Sequence, residues 1–366
     1  MIPLPIPPAD PLPLPLPPII LKLLLLVTFA LHLLAVNLGV GGSVVSFAHA
    51  LRGRAEDRDL VRRVTPLLPP AVTFAVTLGV APLLFIQLSY GPFFYSATVL
   101  SAFPWLALVF LLITGYGLLY RFVGSTASDR FRLWSGALAS LLLLSIALVL
   151  VNMTTLSMRP DLWRGLAAAS PHGTRLNLAD PSLWPRLLHL VTGITASAGM
   201  LLAGWGAWKD HAGAREAGLR WFIGATLLQA AWGTWLLLRQ PAAAYDLLLS
   251  GRAFGSLALW TGIACAALAL LMAIPASQHG AARKAVWPPF LLAQGAVVGM
   301  ILARDQARDA TLRAVGFNPY ALPFKTDWTS LAVFATTLVL LVVLLTILIR
   351  WSLAPVQAAP EAPHES

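Results

Sequence analysis

Long runs without a charge alternate with short, arginine-bearing polar stretches along almost the whole chain. A run of about 20 apolar residues crosses a bilayer as a helix, because a helix satisfies its backbone hydrogen bonds internally. On this pattern the sequence predicts nine spans, at about 18–48, 67–88, 93–120, 132–151, 183–208, 219–238, 253–274, 286–303 and 330–351. Most connections are short, and two are longer, at about 152–182 and 304–329. No internal repeat divides the spans, so residues 18–351 read as one transmembrane domain. Residues 1–17 lack a basic n-region, and proline interrupts every apolar run, which argues against a signal peptide. They read as an extended, polyproline-like arm. The Pro/Ala/Glu-rich residues 352–366 read as a disordered tail. The fold class is therefore an all-α polytopic membrane helical bundle.

Composition agrees with the pattern. Of 366 residues, 58% are hydrophobic and 11% charged, with mean hydropathy +0.77. A soluble domain carries roughly 25% charged residues. The net charge of +10 then speaks of topology and anionic lipid rather than nucleic acid. Arg52, Arg54, Arg58, Arg62 and Arg63 crowd the first loop. Arg121, Arg130, Arg132, Lys209, Arg215, Arg220, Arg283 and Lys284 follow on the same side. That side is assigned to the cytoplasm, with the N-terminus outside and the C-terminus inside. The outer loops are assigned Arg159, Arg164, Arg175, Arg304, Arg308 and Arg313. Every Asp and Glu is assigned to a loop, a helix end or a tail, which argues against a proton pump. One cysteine, Cys265, excludes an internal disulfide, a Cys metal cluster and covalent haem attachment.

Histidine carries the candidate chemistry. His172, His211, His279 and His364 fall in loops or the tail and read as solvated, and His49 reads as interfacial. His32 lies near mid-depth of the first span, followed by Asn37, Gly39, Gly41, Gly42, Ser43 and Ser46. His189 lies about one and a half turns inside the outer end of the fifth span. Each is either a hydrogen-bonded core histidine or a metal ligand. Beyond His189 the helix turns small at Thr192, Gly193, Ala196 and Ser197, a face suited either to a flat cofactor or to close helix packing. Arg186, one turn outward from His189, suits a haem propionate or a snorkelling role. Met300 of the eighth span sits at a depth like that of His189, with Arg304 one turn further out. A thioether serves either as an axial haem ligand or as packing. Neutral spans bearing two histidines, a methionine and outer arginines suggest a haem-b electron carrier.

The run LHLLAVNLGVGG around His32, the segment GVAPLLFIQLSYGPFFYS at 79–96 and the fifth-span RLLHLVTGITASAG together resemble subunit I of cytochrome bd-type quinol oxidases. The chain is more similar still to shortened bd-like membrane proteins that accompany cytochromes c in bacterial respiratory chains. The resemblance implies that His32 and His189 are axial haem ligands near the outer face. It also implies a bacterial inner-membrane location and quinol chemistry on the outer face. Arg304 matches a family arginine. The third span has no glutamate, and no long outer loop follows the sixth span. The seventh span starts GRAFGSLALW without methionine, and Met300 stands near the place of a family haem-ligating glutamate.

These departures remove parts needed to reduce oxygen. The expected function is a membrane subunit with one or two haems b, relaying electrons between the quinone pool and an outer-face c-type cytochrome. Bound quinone is an accompanying expectation. The alternatives are a divergent bd-type terminal quinol oxidase and a cofactor-free scaffold with a decayed bd-like fold.

Overall fold

The computed structural model describes residues 6–7, 12–124 and 129–353. The first predicted span is one rod in three parts: α1 (Pro18–Val36), a π-helical turn (Asn37–Gly41) and α2 (Gly42–Arg52). A short α3 (Ala55–Val64) turns the chain into α4 (Leu68–Leu100). There follow α5 (Ala102–Gly124), α6 (Asp129–Ser157), the short α7 (Trp163–Ala169) and α8 (Leu183–Trp208). Then come α9 (Ala212–Leu238), the short α10 (Ala242–Leu249), α11 (Phe254–Ala276), α12 (Trp287–Ala314) and α13 (Trp328–Leu353). Eight of these rods are long and apolar enough to cross a membrane by length and composition. α13 occupies the place of the ninth predicted span, its described apolar stretch running over Trp328–Leu344. The protein is a multi-pass helical bundle.

Two predicted boundaries need correction. The second span does not end at 88. α4 continues to Leu100, bending at Tyr90 (φ −138°, ψ 27°), with Pro82 and Pro92 inside it. Proline removes one backbone bond and kinks a helix that packing on both sides holds together. The connection to the third span therefore falls at Ser101. The eighth span does not end at 303 either: α12 runs on to Ala314. Arg304, Arg308 and Arg313, assigned to an outer loop from sequence, stand on this helix, and so do Asp305 and Asp309.

Glycine sets how closely the rods approach. A Cβ on Gly41 would lie 2.3 Å from the Ile194 carbonyl oxygen, so α8 crosses the π-turn backbone to backbone. α8 and α9 touch the same way: a Cβ on Gly218 would lie 2.4 Å from the Ala203 nitrogen, and one on Gly206 2.5 Å from the Arg215 nitrogen. Ala196, Met200 and Ala203 are buried in this seam with Leu219 and Phe222. The small-residue face beyond His189 is thus mostly a helix-packing surface, of the kind membrane helices use where lipid gives no hydrophobic drive.

The described end of the proline-rich arm, residues 12–17, packs against the bundle. Leu14 and Leu16 are buried in a cluster with Leu21, Tyr90, Phe93 and Trp163. Leu14 forms a parallel bridge to Phe324, donating its N–H to the Pro323 carbonyl at 2.8 Å and accepting from Lys325 at 2.9 Å. The predicted disordered tail lies outside the described residues from 354 onward.

Candidate functional site

His32 and His189 sit in different helix pairs and are held alike. The His32 ring lies against α4, where Gly79 leaves room: a Cβ there would fall 2.9 Å from Nδ1. Its Nδ1 bonds the Ala75 carbonyl oxygen at 2.8 Å. The His189 ring lies against α9 at Gly233, whose Cβ would fall 3.0 Å from the ring. Its Nδ1 reaches the Gln229 carbonyl oxygen at 3.3 Å. A carbonyl can only accept, so each Nδ1 carries the proton and each Nε2 keeps its lone pair. Neither Nε2 has a partner within the described residues. An imidazole anchored through Nδ1–H with Nε2 free is oriented for a metal. No group of three or more His, Cys, Asp or Glu among the described residues could hold a bare ion, so each imidazole could offer a metal only a single point of attachment.

Two arginines that form no ion pair within the described residues stand nearby. Arg186 lies within electrostatic reach of His189, and its Nε and Nη2 are sealed from solvent with no hydrogen-bond partner. Arg186, Arg159, Arg239 and Gln240 line a cavity of about 250 Å³. Arg159 is already held by Asp180 at 3.0 Å and Asp161 at 2.8 Å. Its hydrogen bonds hold the Asp161 carboxyl below the usual range. Arg304 makes no ion pair; its guanidinium lies 4.9 Å over the ring of Phe29, which is itself 6.3 Å from the His32 ring. Arg186 and Arg304 repel one another. Arg186, with two nitrogens lacking a hydrogen-bond partner, and Arg304, with no ion pair, leave guanidinium donors that a bound anion would satisfy. Met300 is half-buried with its methyl against Gly262 of α11, and no hydrogen bond joins its sulfur to either imidazole.

Sequence reasoning missed a buried charge network at the same end. Lys22 of α1 is 4% exposed. Its ammonium donates to Asp309 at 2.7 and 2.9 Å, lies 2.9 Å from Asp305, and contacts the Tyr90 hydroxyl. Tyr90 donates to Asp309 at 2.5 Å, and Arg308 pairs with Asp305 and Tyr90. Tyr320 also donates to Asp309, and burial pushes its phenol up to about 12. Asp305 and Asp309, which fell in the outer connection at 304–329 on the sequence reading, instead stand buried on the last turns of α12, 3% and 2% exposed. The available signal was the lysine at position 22 inside an apolar run, together with the i, i+4 spacing of Asp305 and Asp309.

At the opposite, arginine-rich end, His49, read from sequence as interfacial, and His211 and His279, read as solvated, are engaged. His49 is buried, with Nδ1 2.5 Å from Asp57, and accepts from the Trp221 indole at 2.9 Å. His211 caps α9 by accepting from the Ala214 N–H and lies 3.2 Å from Asp59. His279 is exposed but lies 3.1 Å from Glu216. His172 is exposed, as expected, and His364 lies outside the described residues.

No family model and no curated protein sequence matches the chain. Among solved structures it is similar in fold to the bd oxidase of Geobacillus thermodenitrificans, with a TM-score of 0.66 and 14% identity. The match covers 91% of this chain and 98% of that one. The bundle thus has a bd-oxidase-like fold.

Proposed function

We propose that the chain is a haem-b electron-transfer subunit of a bacterial cytoplasmic membrane, relaying electrons between the quinone pool and a c-type cytochrome on the outer face. The observation that carries this reading is the pair of imidazoles, each anchored through Nδ1 with Nε2 unpartnered. The likeness in fold to a bd oxidase supports it. His32 and His189 would each ligate iron, and Met300 is the candidate second axial ligand to one of them. Arg186 and Arg304 would hold propionates, which supply the missing counter-charge. Haem b supplies one-electron chemistry when bound. The chain's own residues orient the ring nitrogens, exclude water and fix the charge around the group.

The test is optical. Protein purified from haem-supplied cells is expected to show a reduced-minus-oxidised haem-b spectrum with one or two haems by pyridine haemochrome. A colourless preparation sinks the proposal and leaves the scaffold reading. One observation favours the second reading, a divergent quinol oxidase: Asp305, Asp309 and Tyr90 form a buried ionisable network beside Arg308. That reading requires quinol-driven oxygen consumption and a haem that binds carbon monoxide. The electron-relay reading requires neither.

A further inference from the structure

The cavity of about 250 Å³ beside Arg186 is built from three separate parts of the chain. Thr155, Met158 and Arg159 come from the last turn of α6 and the residues after it, and Ser182 and Arg186 from the start of α8. Arg239, Gln240 and Pro241 come from the turn between α9 and α10. At about 30 Å³ per water the space equals roughly eight waters, enough for a small polar group and too little for a lipid chain or a tetrapyrrole.

The lining carries three guanidinium groups and no carboxylate. Two carboxylates stand next to it, and both are already engaged. Asp180 accepts from Arg159 at 3.0 Å with one oxygen. Its other oxygen accepts from the Ser182 hydroxyl and N–H at 2.7 and 2.9 Å. Asp161 accepts from Arg159 Nη2 at 2.8 Å and Nε at 3.0 Å. Three positive charges against two negative ones leave an excess of one positive charge.

The donors that remain are unpaired. Asp180 is within electrostatic reach of Arg186 but does not bond it. The Arg186 guanidinium makes no hydrogen bond among the described residues. Its Nε and Nη2 are sealed and Nη1 is not, so Nη1 is the donor that a ligand can reach. Arg239 is exposed and Gln240 half-buried, and neither side chain has a partner among the described residues. One guanidinium fork satisfies a planar carboxylate with two parallel bonds. Arginines brought together from three separate elements suit a tetrahedral oxyanion, whose oxygens point apart.

We infer that this cavity binds a phosphate group, with Arg186 and Arg239 as its chief donors and Arg159 and Gln240 beside them. A lipid phosphodiester and free phosphate present the same oxygens, and the test separates the two sources. The site goes beyond the haem reading, with which it shares only Arg186.

The test uses the full-length chain as purified in dodecyl maltoside, a detergent without phosphorus. The probe is radiolabelled inorganic phosphate at neutral pH, measured by equilibrium dialysis, with phospholipid phosphorus extracted and counted in the same samples. Wild type is expected to hold one phosphate group per chain. Free phosphate as the source gives saturable label that dihexanoyl phosphatidylglycerol displaces no better than unlabelled phosphate does. A lipid headgroup as the source gives phospholipid that survives extensive washing, or label that dihexanoyl phosphatidylglycerol displaces at far lower concentration. In either case Arg186→Gln and Arg239→Gln are each expected to weaken label binding about tenfold or more, or to abolish lipid retention, through loss of a charge-assisted hydrogen bond. Replacing the exposed, unpaired Arg239 breaks no contact, so that variant decides the matter should Arg186→Gln fail to fold. Arg252→Gln, exposed and outside the cavity, is expected to change nothing. Absence of phosphate in either form, occupancy indifferent to both arginine variants, or displacement by acetate as readily as by phosphate would overturn the inference. Haem is quantified alongside. Phosphate occupancy that falls as haem content rises gives the cavity to a propionate and overturns the inference, whereas occupancy independent of haem supports it.

Discussion

His189 and His32 leave the same ring nitrogen without a hydrogen-bond partner and obtain their surroundings in opposite ways. His189 has its cation on its own helix: Arg186 precedes it by three residues, and the α8–α9 seam that carries both is glycine-tight. His32 has no cation on α1 nearby in depth. Its neighbour Phe29 is covered by Arg304, which arrives on α12 from the far end of the chain. One site is assembled by local spacing and one by tertiary packing. They should therefore fail differently.

The largest effect separates them outright. His189→Ala should abolish one haem by pyridine haemochrome, and His32→Ala should remove only what His32 holds. Loss of all haem from either single variant would show that the two positions share one group. Next come the glycines that make room for the rings. Gly79→Val and Gly233→Val each place a Cβ at 2.9 or 3.0 Å from an imidazole, closer than packing tolerates, so each should displace its own ring and lower the haem content of that site alone.

Lys22→Met tests the tertiary half of the comparison. It leaves Asp305 and Asp309 buried without their ammonium, which costs about 3–5 kcal/mol. It should lower the thermal midpoint and, by loosening α12, disturb the His32 spectrum more than that of His189. Arg186→Gln and Arg304→Gln are subtler. Removing a cation near a redox centre favours the oxidised form, so each should lower a midpoint potential by roughly 30–60 mV, a factor of about three to ten for one electron. Redox titration decides which site each arginine serves.

The smallest effect is at the rim. Arg159 holds Asp161 below its ordinary carboxylate range, so this pair stabilises the fold above the unfolded value of about 3.9. The contribution fades as pH falls through the lower folded value. With Asp161 half exposed it is worth less than about 1 kcal/mol, and Asp161→Asn should flatten the acid limb of the thermal midpoint only slightly.

What the sequence made legible follows the same division. The rods, their order and the α8 position of His189 beside Arg186 were readable, because apolar run length and i, i+3 spacing are local properties. The extension of α12 to Ala314 was not, because its last three turns carry arginines and aspartates that look like loop until Lys22 and Tyr90 neutralise them. His49 misled for the same reason: next to Arg52 it looks interfacial, and only the approach of α3 and α9 supplies Asp57 and Trp221. The partner of the Met300 methyl, Gly262, is a matter of helix rotation that a depth assignment from sequence does not report.

The link between Lys22 and Asp309 also has a consequence in time. The two residues are 287 positions apart. At roughly 5–20 residues per second, a ribosome needs about 15–60 seconds to deliver the aspartate after the lysine. Through that interval the Lys22 ammonium lacks the two carboxylates that pair with it in the finished fold, and a chain truncated before α12 would never gain them.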